Sequence, residues 1–229
     1  MQQLTLALAP APEPSFDNFF AGRDSSANTA TLAALRHALA GHEHFVYVWG
    51  PRGSGKSHLL RAFIAEAALR SGSGAPAAYV AAGESIPADT LFVAADDAQR
   101  LDMVGQLALF DLYNRFRTGG GTLLSAGDRP PAELPLREDL RTRLGAGVVL
   151  RVEPLSDEEK RAALSEHGRQ RGLALAPELI DYLLSHVTRD MGTQMAVVDT
   201  LDRVSLERKR PITQPLLREV LQLINNKNA

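Results

Sequence analysis

The chain reads as an α/β protein, a three-layer domain around a parallel sheet followed by a small all-helical domain. Three observations predict this. Short apolar runs alternate with helical stretches from residue 29 to residue 152. One run-to-helix junction carries the glycine-rich octapeptide Gly50-Pro51-Arg52-Gly53-Ser54-Gly55-Lys56-Ser57. After Pro154 the apolar runs stop and only helical periodicity continues.

The elements follow in order. Residues 1–14 hold the apolar tag Gln3-Leu4-Thr5-Leu6-Ala7-Leu8 and then Pro10, Pro12 and Pro14, which argue for a flexible arm. A leucine cluster ahead of a proline-rich tether suits a peptide that docks in a partner's groove. Asn28 or Thr29 can cap a helix over 29–40, with Leu32, Leu35 and Leu39 on one face. Phe45-Val46-Tyr47-Val48-Trp49 is short, β-branched and aromatic, as a buried parallel strand should be. The glycine-rich loop leads into a helix over 56–70, and Ser71-Gly72-Ser73-Gly74 turns the chain. Strands are expected at 77–81, at 91–95 ending in Asp96-Asp97, at 122–126 closing on Gly127-Asp128, and at 148–152, with a helix over 103–117. The α/β domain thus spans 15–153.

In the second domain, 154–229, Ser156 and Glu159 form a capping box ahead of a helix over 157–170. Further helices fit 177–186, 191–208 and 214–223.

Composition bounds the function. The chain has 229 residues, 45% of them hydrophobic and 23% charged, which is ordinary for a soluble globule. It has no cysteine, so disulfides and cysteine-ligated zinc or iron–sulfur sites are excluded. A net charge of −2 and a pI near 6.3 lack the basic footprint of a nucleic-acid binder. No basic-then-apolar leader is visible, and no apolar run approaches the roughly 18 residues of a membrane helix. A cytoplasmic home is the expectation.

The octapeptide fits the phosphate-binding pattern G-x-x-x-x-G-K-[ST]. Phosphate needs inward backbone N–H donors with no Cβ in the way, which Gly50, Gly53 and Gly55 permit. Lys56 would reach the β- and γ-phosphates, and the Ser57 hydroxyl would ligate Mg²⁺. His58 opens the following helix, whose N-terminal dipole end would face the phosphates. Asp96 ends an apolar strand about 40 residues after the loop, where a second Mg²⁺ ligand belongs. Asp97 could polarise the attacking water, though two adjacent aspartates are also a turn signal. Asp128, at the same edge of the sheet, could sense the γ-phosphate or simply form the turn before Arg129-Pro130-Pro131. Arg141 and Arg143 read as solvated helix charges, or as arginines able to reach a neighbouring subunit's nucleotide. His42-x-His44 is too sparse for a metal site, and Arg208-Lys209-Arg210 reads as a solvated helix end.

Taken together, these features resemble the AAA+ superfamily. Asp96-Asp97-Ala98-Gln99 and Gly127-Asp128-Arg129-Pro130 resemble its DnaA-related family. Phe110-Asp111-Leu112-Tyr113-Asn114-Arg115, Gly127-Asp128-Arg129-Pro130-Pro131 and Pro154-Leu155-Ser156-Asp157-Glu158 are similar to that family's regulatory inactivators of the initiator. The sequence ends after the last helices, where an initiator would continue into a DNA-binding domain, and this favours the regulator. The resemblance implies bound ADP or ATP with Mg²⁺, and it places Asn18 and Phe19, in Phe16-Asp17-Asn18-Phe19, at the adenine. It implies that Gln3, Leu4, Leu6 and Leu8 bind the DNA polymerase sliding clamp. It also implies that Arg143 is an arginine finger acting on ATP held by DnaA. DNA would be met only through the clamp, no membrane is involved, and a homo-oligomer stays open. The family's second sensor arginine falls on Gly192, with Arg189 one turn away, which bears on whether the chain hydrolyses ATP by itself. The implied function is an adaptor that inactivates the initiator and prevents re-initiation. The alternatives are a self-sufficient ATPase such as a helicase loader, and a non-catalytic clamp–initiator scaffold.

Overall fold

The computed structural model describes residues 13–22, 26–70, 76–188 and 190–225. Two compact units form, one of Pro14–Pro154 and one containing Leu155–Ala229.

In the first unit, β1 (Phe45–Trp49), β2 (Ala77–Val80), β3 (Phe92–Ala95), β4 (Thr122–Gly127) and β5 (Val148–Arg151) make one sheet in the order β2-β3-β4-β1-β5. Every pairing is parallel, with Val46 opposite both Leu124 and Val148. The helices are α1 (Ser26–Leu39), α2 (Lys56–Arg70), α3 (Met103–Gly119) and α4 (Glu138–Gly145). Strand alternation sorts the core into two clusters, one on each face of the sheet. Val46, Val48, Ala94, Leu124 and Ala126 pack with Leu35, Leu59, Leu60 and Phe63 of α1 and α2. Tyr47, Val93 and Leu123 pack with Leu109, Leu112, Tyr113 and Phe116 of α3 and with Leu140 and Leu144 of α4. Both faces are covered, which is why β4 is buried along its whole length.

Two local readings are corrected. Helix α1 starts before the proposed cap, and Asn28 lies inside its first turn. Its buried side-chain amide donates to the Ala21 and Glu153 carbonyls, 3.1 and 3.0 Å, and accepts from Glu153 N–H at 2.9 Å. It pins the chain leaving β5 against the helix start and does not cap the helix. The arginines at 141 and 143 do sit on a helix, α4, but neither is simply solvated, as shown below.

In the second unit, α5 (Asp157–Gln170), α6 (Pro177–His186), α7 (Met191–Arg208) and α8 (Gln214–Asn225) bury Leu164, Leu183, Val198, Leu201 and Leu217 together. The capping box forms as read: Ser156 Oγ accepts from Glu159 N–H at 3.2 Å, and the Glu159 carboxylate accepts from Ser156 N–H at 2.8 Å. Asp190 caps α7, accepting from the Thr193 N–H and hydroxyl, both at 2.8 Å. His167 and Arg171 of the α5 end both contact Asp199 of α7, at 2.6 and 2.7 Å. Among the described residues no helix is long and apolar enough to cross a membrane.

Candidate nucleotide site

The strand order sets β3, β4 and β1 side by side. Because all run the same way, their carboxyl ends deliver Asp96, Asp128 and the loop 50–57 to one edge, where parallel α/β sheets bind ligands. The loop leaves β1 at Gly50, whose N–H donates to the Gly127 carbonyl at 3.3 Å. A Cβ on Gly50 would lie 2.2 Å from the Val152 carbonyl oxygen, so only glycine fits there. Gly55 has φ 98°, and a Cβ there would come within 2.7 Å of the Phe19 ring. The loop is therefore tightened against its own domain, with the N–H groups that open α2 directed at its mouth. Ser54, inside the loop, is buried with its Oγ unpartnered. Pro51, Arg52 and Gly53 form its exposed rim, and Ser57 is exposed on the first turn of α2.

Lys56 Nζ donates to the Gly50 and Pro51 carbonyls at 2.8 and 3.0 Å, which holds the ammonium across the loop. Burial pushes its pKa below the ordinary lysine range, and the negative charges of Asp96, Asp97 and Asp128 oppose that shift. These are the groups expected to converge on a phosphate.

Asp96 is buried, and both its oxygens are engaged. Oδ1 accepts from Asp97 N–H at 2.9 Å and Oδ2 from the Tyr79 hydroxyl at 2.7 Å. Burial and this bond push the Tyr79 phenol up to about 12. Asp97 takes the left-handed conformation, φ 51°, and turns the chain into a short 3-10 segment, Ala98–Arg100. Its carboxylate accepts from Gln99 Nε2 at 3.0 Å and lies 3.6 Å from Arg100 Nη1. It thus serves the turn as well as facing Lys56. Asp128 is paired with both ends of the Arg129 guanidinium at 2.9 Å, and that guanidinium holds its carboxyl below the usual range. The Tyr47 hydroxyl fixes the pair from beneath by donating to the Arg129 carbonyl at 2.9 Å.

Phe19 and Asn18 flank the loop. Asn18 Oδ1 accepts from Ser15 N–H, 2.9 Å, and Ser15 Oγ from Asn18 N–H, 3.2 Å. His58 Nε2 lies 3.0 Å from the Ser15 carbonyl, with its ring 5.7 Å from that of Phe19. The segment 15–19 is thereby clamped to the start of α2. The donor set also suits magnesium. Among the described residues no cluster of three acidic or histidine ligands exists. A buried carboxylate at the end of β3 and an exposed serine on the first turn of α2 suit an ion that takes its remaining oxygens from phosphate and water.

Arg143 is not part of this edge. It sits at the end of α4 near Phe45 and Val46 of β1 and Leu123 of β4, the amino ends of the strands. Its guanidinium lies 4.7 Å from the Phe110 ring centre and 5.2 Å from that of Tyr113, and its buried Nε has no hydrogen-bond partner. Arg141 instead donates to the Ala132 carbonyl at 3.2 Å. Gly192 lies in the first turn of α7. Gln3, Leu4, Leu6, Leu8 and Arg189 lie outside the described residues. Sequence reasoning missed Tyr79 and Arg129. Tyr79 is the one side chain of β2 with a polar tip, which was the available signal.

A family described as "Hda, lid domain" matches residues 157–221. Domain III of the Thermotoga maritima replication initiation protein DnaA is similar at TM-score 0.70 and 17% identity, over 94% of this chain and 97% of that one. AMPPCP-bound DnaA from Aquifex aeolicus is similar at 0.64 and 21%, over 86% and 70%. A Thermotoga maritima RuvB variant is similar at 0.61 and 15%, over 93% and 72%. At these identities the solved structures establish a shared fold.

Proposed function

We propose, from the match of residues 157–221 to the Hda lid-domain family and from the fold shared with DnaA domain III, that the chain is a nucleotide-bound AAA+ adaptor regulating replication initiation. It holds ADP or ATP with Mg²⁺ at the loop 50–57, docks on the sliding clamp through Gln3, Leu4, Leu6 and Leu8, and presents Arg143 to ATP held by DnaA. Hydrolysis then occurs in the partner, which inactivates the initiator.

The observation that carries the reading is the separation of Arg143 from the chain's own phosphate loop. The two lie at opposite ends of the same parallel strands. An arginine there reaches a nucleotide only in trans. When it arrives, a guanidinium aimed at the γ-phosphoryl oxygens stabilises charge that develops in the transition state, worth about 10³–10⁵ in rate where measured. Lys56 would bind the β- and γ-phosphates, Asp96 and Ser57 would hold the magnesium, and Asp128 would report on the γ-phosphate. The Mg²⁺ would neutralise phosphate charge.

Conversion of DnaA-bound ATP to ADP, with clamp loaded on DNA, tests the reading. The wild-type chain and Arg141→Ala should accelerate conversion and Arg143→Ala should not. Full acceleration by Arg143→Ala would leave a scaffold role in front. A second reading, an ATPase acting by itself, is supported by intact Lys56, Ser57, Asp96 and Asp97, and turnover by the chain alone would favour it.

A further inference from the structure

Resting on the reading of Asp96 as a magnesium ligand, we propose that Tyr79 is the positioning residue that presents this carboxylate to the metal. Asp96 is buried at the end of β3, and a buried carboxylate with one partner can still rotate. Here two donors from different directions fix it. The Asp97 N–H, on Oδ1, comes from the turn that Asp97 itself makes. The Tyr79 hydroxyl, on Oδ2, comes from the neighbouring strand, where Tyr79 stands opposite Ala94 in register. Each carboxylate oxygen can accept two hydrogen bonds and has one donor here, so one lone pair on each stays open for the metal or its water. The tyrosine ring is itself held from α2, with the Arg61 guanidinium 4.4 Å from its centre. Arg61, Tyr79 and Asp96 thus form a line running from the exposed face of α2 to the phosphate edge. Partners that fix a metal ligand's orientation contribute about 10–100-fold in metal affinity. The Tyr79 hydroxyl spends its hydrogen bond on Asp96, so its effect should appear in magnesium dependence and not in nucleotide affinity without metal.

The test is titration of a fluorescent ADP analogue into the intact chain, in EDTA and across a magnesium series. Wild type should bind in EDTA and tighten with magnesium. Tyr79→Phe should match wild type in EDTA and need about ten times more magnesium for half the tightening. Arg61→Ala alters an exposed residue that cannot endanger folding, and should shift the magnesium response the same way by less. Adding Tyr79→Phe to Asp96→Asn should change nothing further. An unaltered or improved magnesium response in Tyr79→Phe, or equal losses with and without magnesium, would overturn the proposal. Absence of any magnesium effect in wild type would instead remove the assigned role of Asp96, and absence of binding would remove the nucleotide site.

Discussion

The Arg143 guanidinium rests 4.7 Å over the Phe110 ring, so the residue proposed to act on a partner is packed against its own α3. Phe110 and Tyr113, one turn apart, make a two-ring seat. On that proposal, binding a partner's phosphates would draw the guanidinium off that seat.

Arg143→Ala should therefore be costly twice. Loss of the cation–π contact is worth about 0.5–1 kcal/mol of stability, read by urea unfolding. Loss of DnaA-bound ATP conversion should be far larger, and Arg143→Lys should restore the first more than the second, since an ammonium cannot bridge two oxygens in a planar fork. A stable variant with full activity would reject both parts.

Lys56→Ala should abolish nucleotide binding in calorimetry, because it removes a charge-assisted phosphate contact. Burial lowers the Lys56 pKa, so the folded chain binds that proton less readily than the unfolded chain. Stability linked to this group is lowest while it is charged, and rises with pH between its folded pKa and the ordinary lysine value of 10.5. A flat melting temperature across that window in wild type would contradict the assignment.

Asn28→Ala should destabilise the α/β unit by about 2–3 kcal/mol, since it strands the Glu153 N–H and two carbonyls behind it. Thr29→Ala, the other cap candidate from sequence, should cost much less. Similar denaturation midpoints for the two variants would remove Asn28 as the pin.

Deletion of residues 1–9 should abolish co-elution with the sliding clamp and leave the melting temperature unchanged. Every described core side chain lies at Phe16 or beyond. A truncated chain that still co-elutes would disprove clamp docking by the arm.

Most elements were legible because their signals are local. The run Phe45–Trp49 and the glycine octapeptide announce β1 and the loop by chain order alone, and Ser156 with Glu159 announces α5. Helix α4 was legible only as a setting for arginines, because its eight residues bury just Leu140 and Leu144. What could not be read depends on distant registers. The Asn28 contact spans 125 residues, and the Tyr79–Asp96 bond needs β2 placed beside β3 in one register. The seat of Arg143 needs α3 laid against α4, which no spacing within either helix encodes.

A phosphate loop at one end of the strands and an arginine at the other give the α/β unit a polarity. Contacts that join one end to the other are heterologous, and a row of such units does not close on itself by a two-fold axis. If Arg143 acts in trans as proposed, each junction would complete one site, and the row would keep an uncompleted loop at one terminus and an unused arginine at the other. A single regulatory subunit added to the loop-bearing terminus would complete one further junction, so its effect would scale with the number of row ends and not with the number of subunits in the rows.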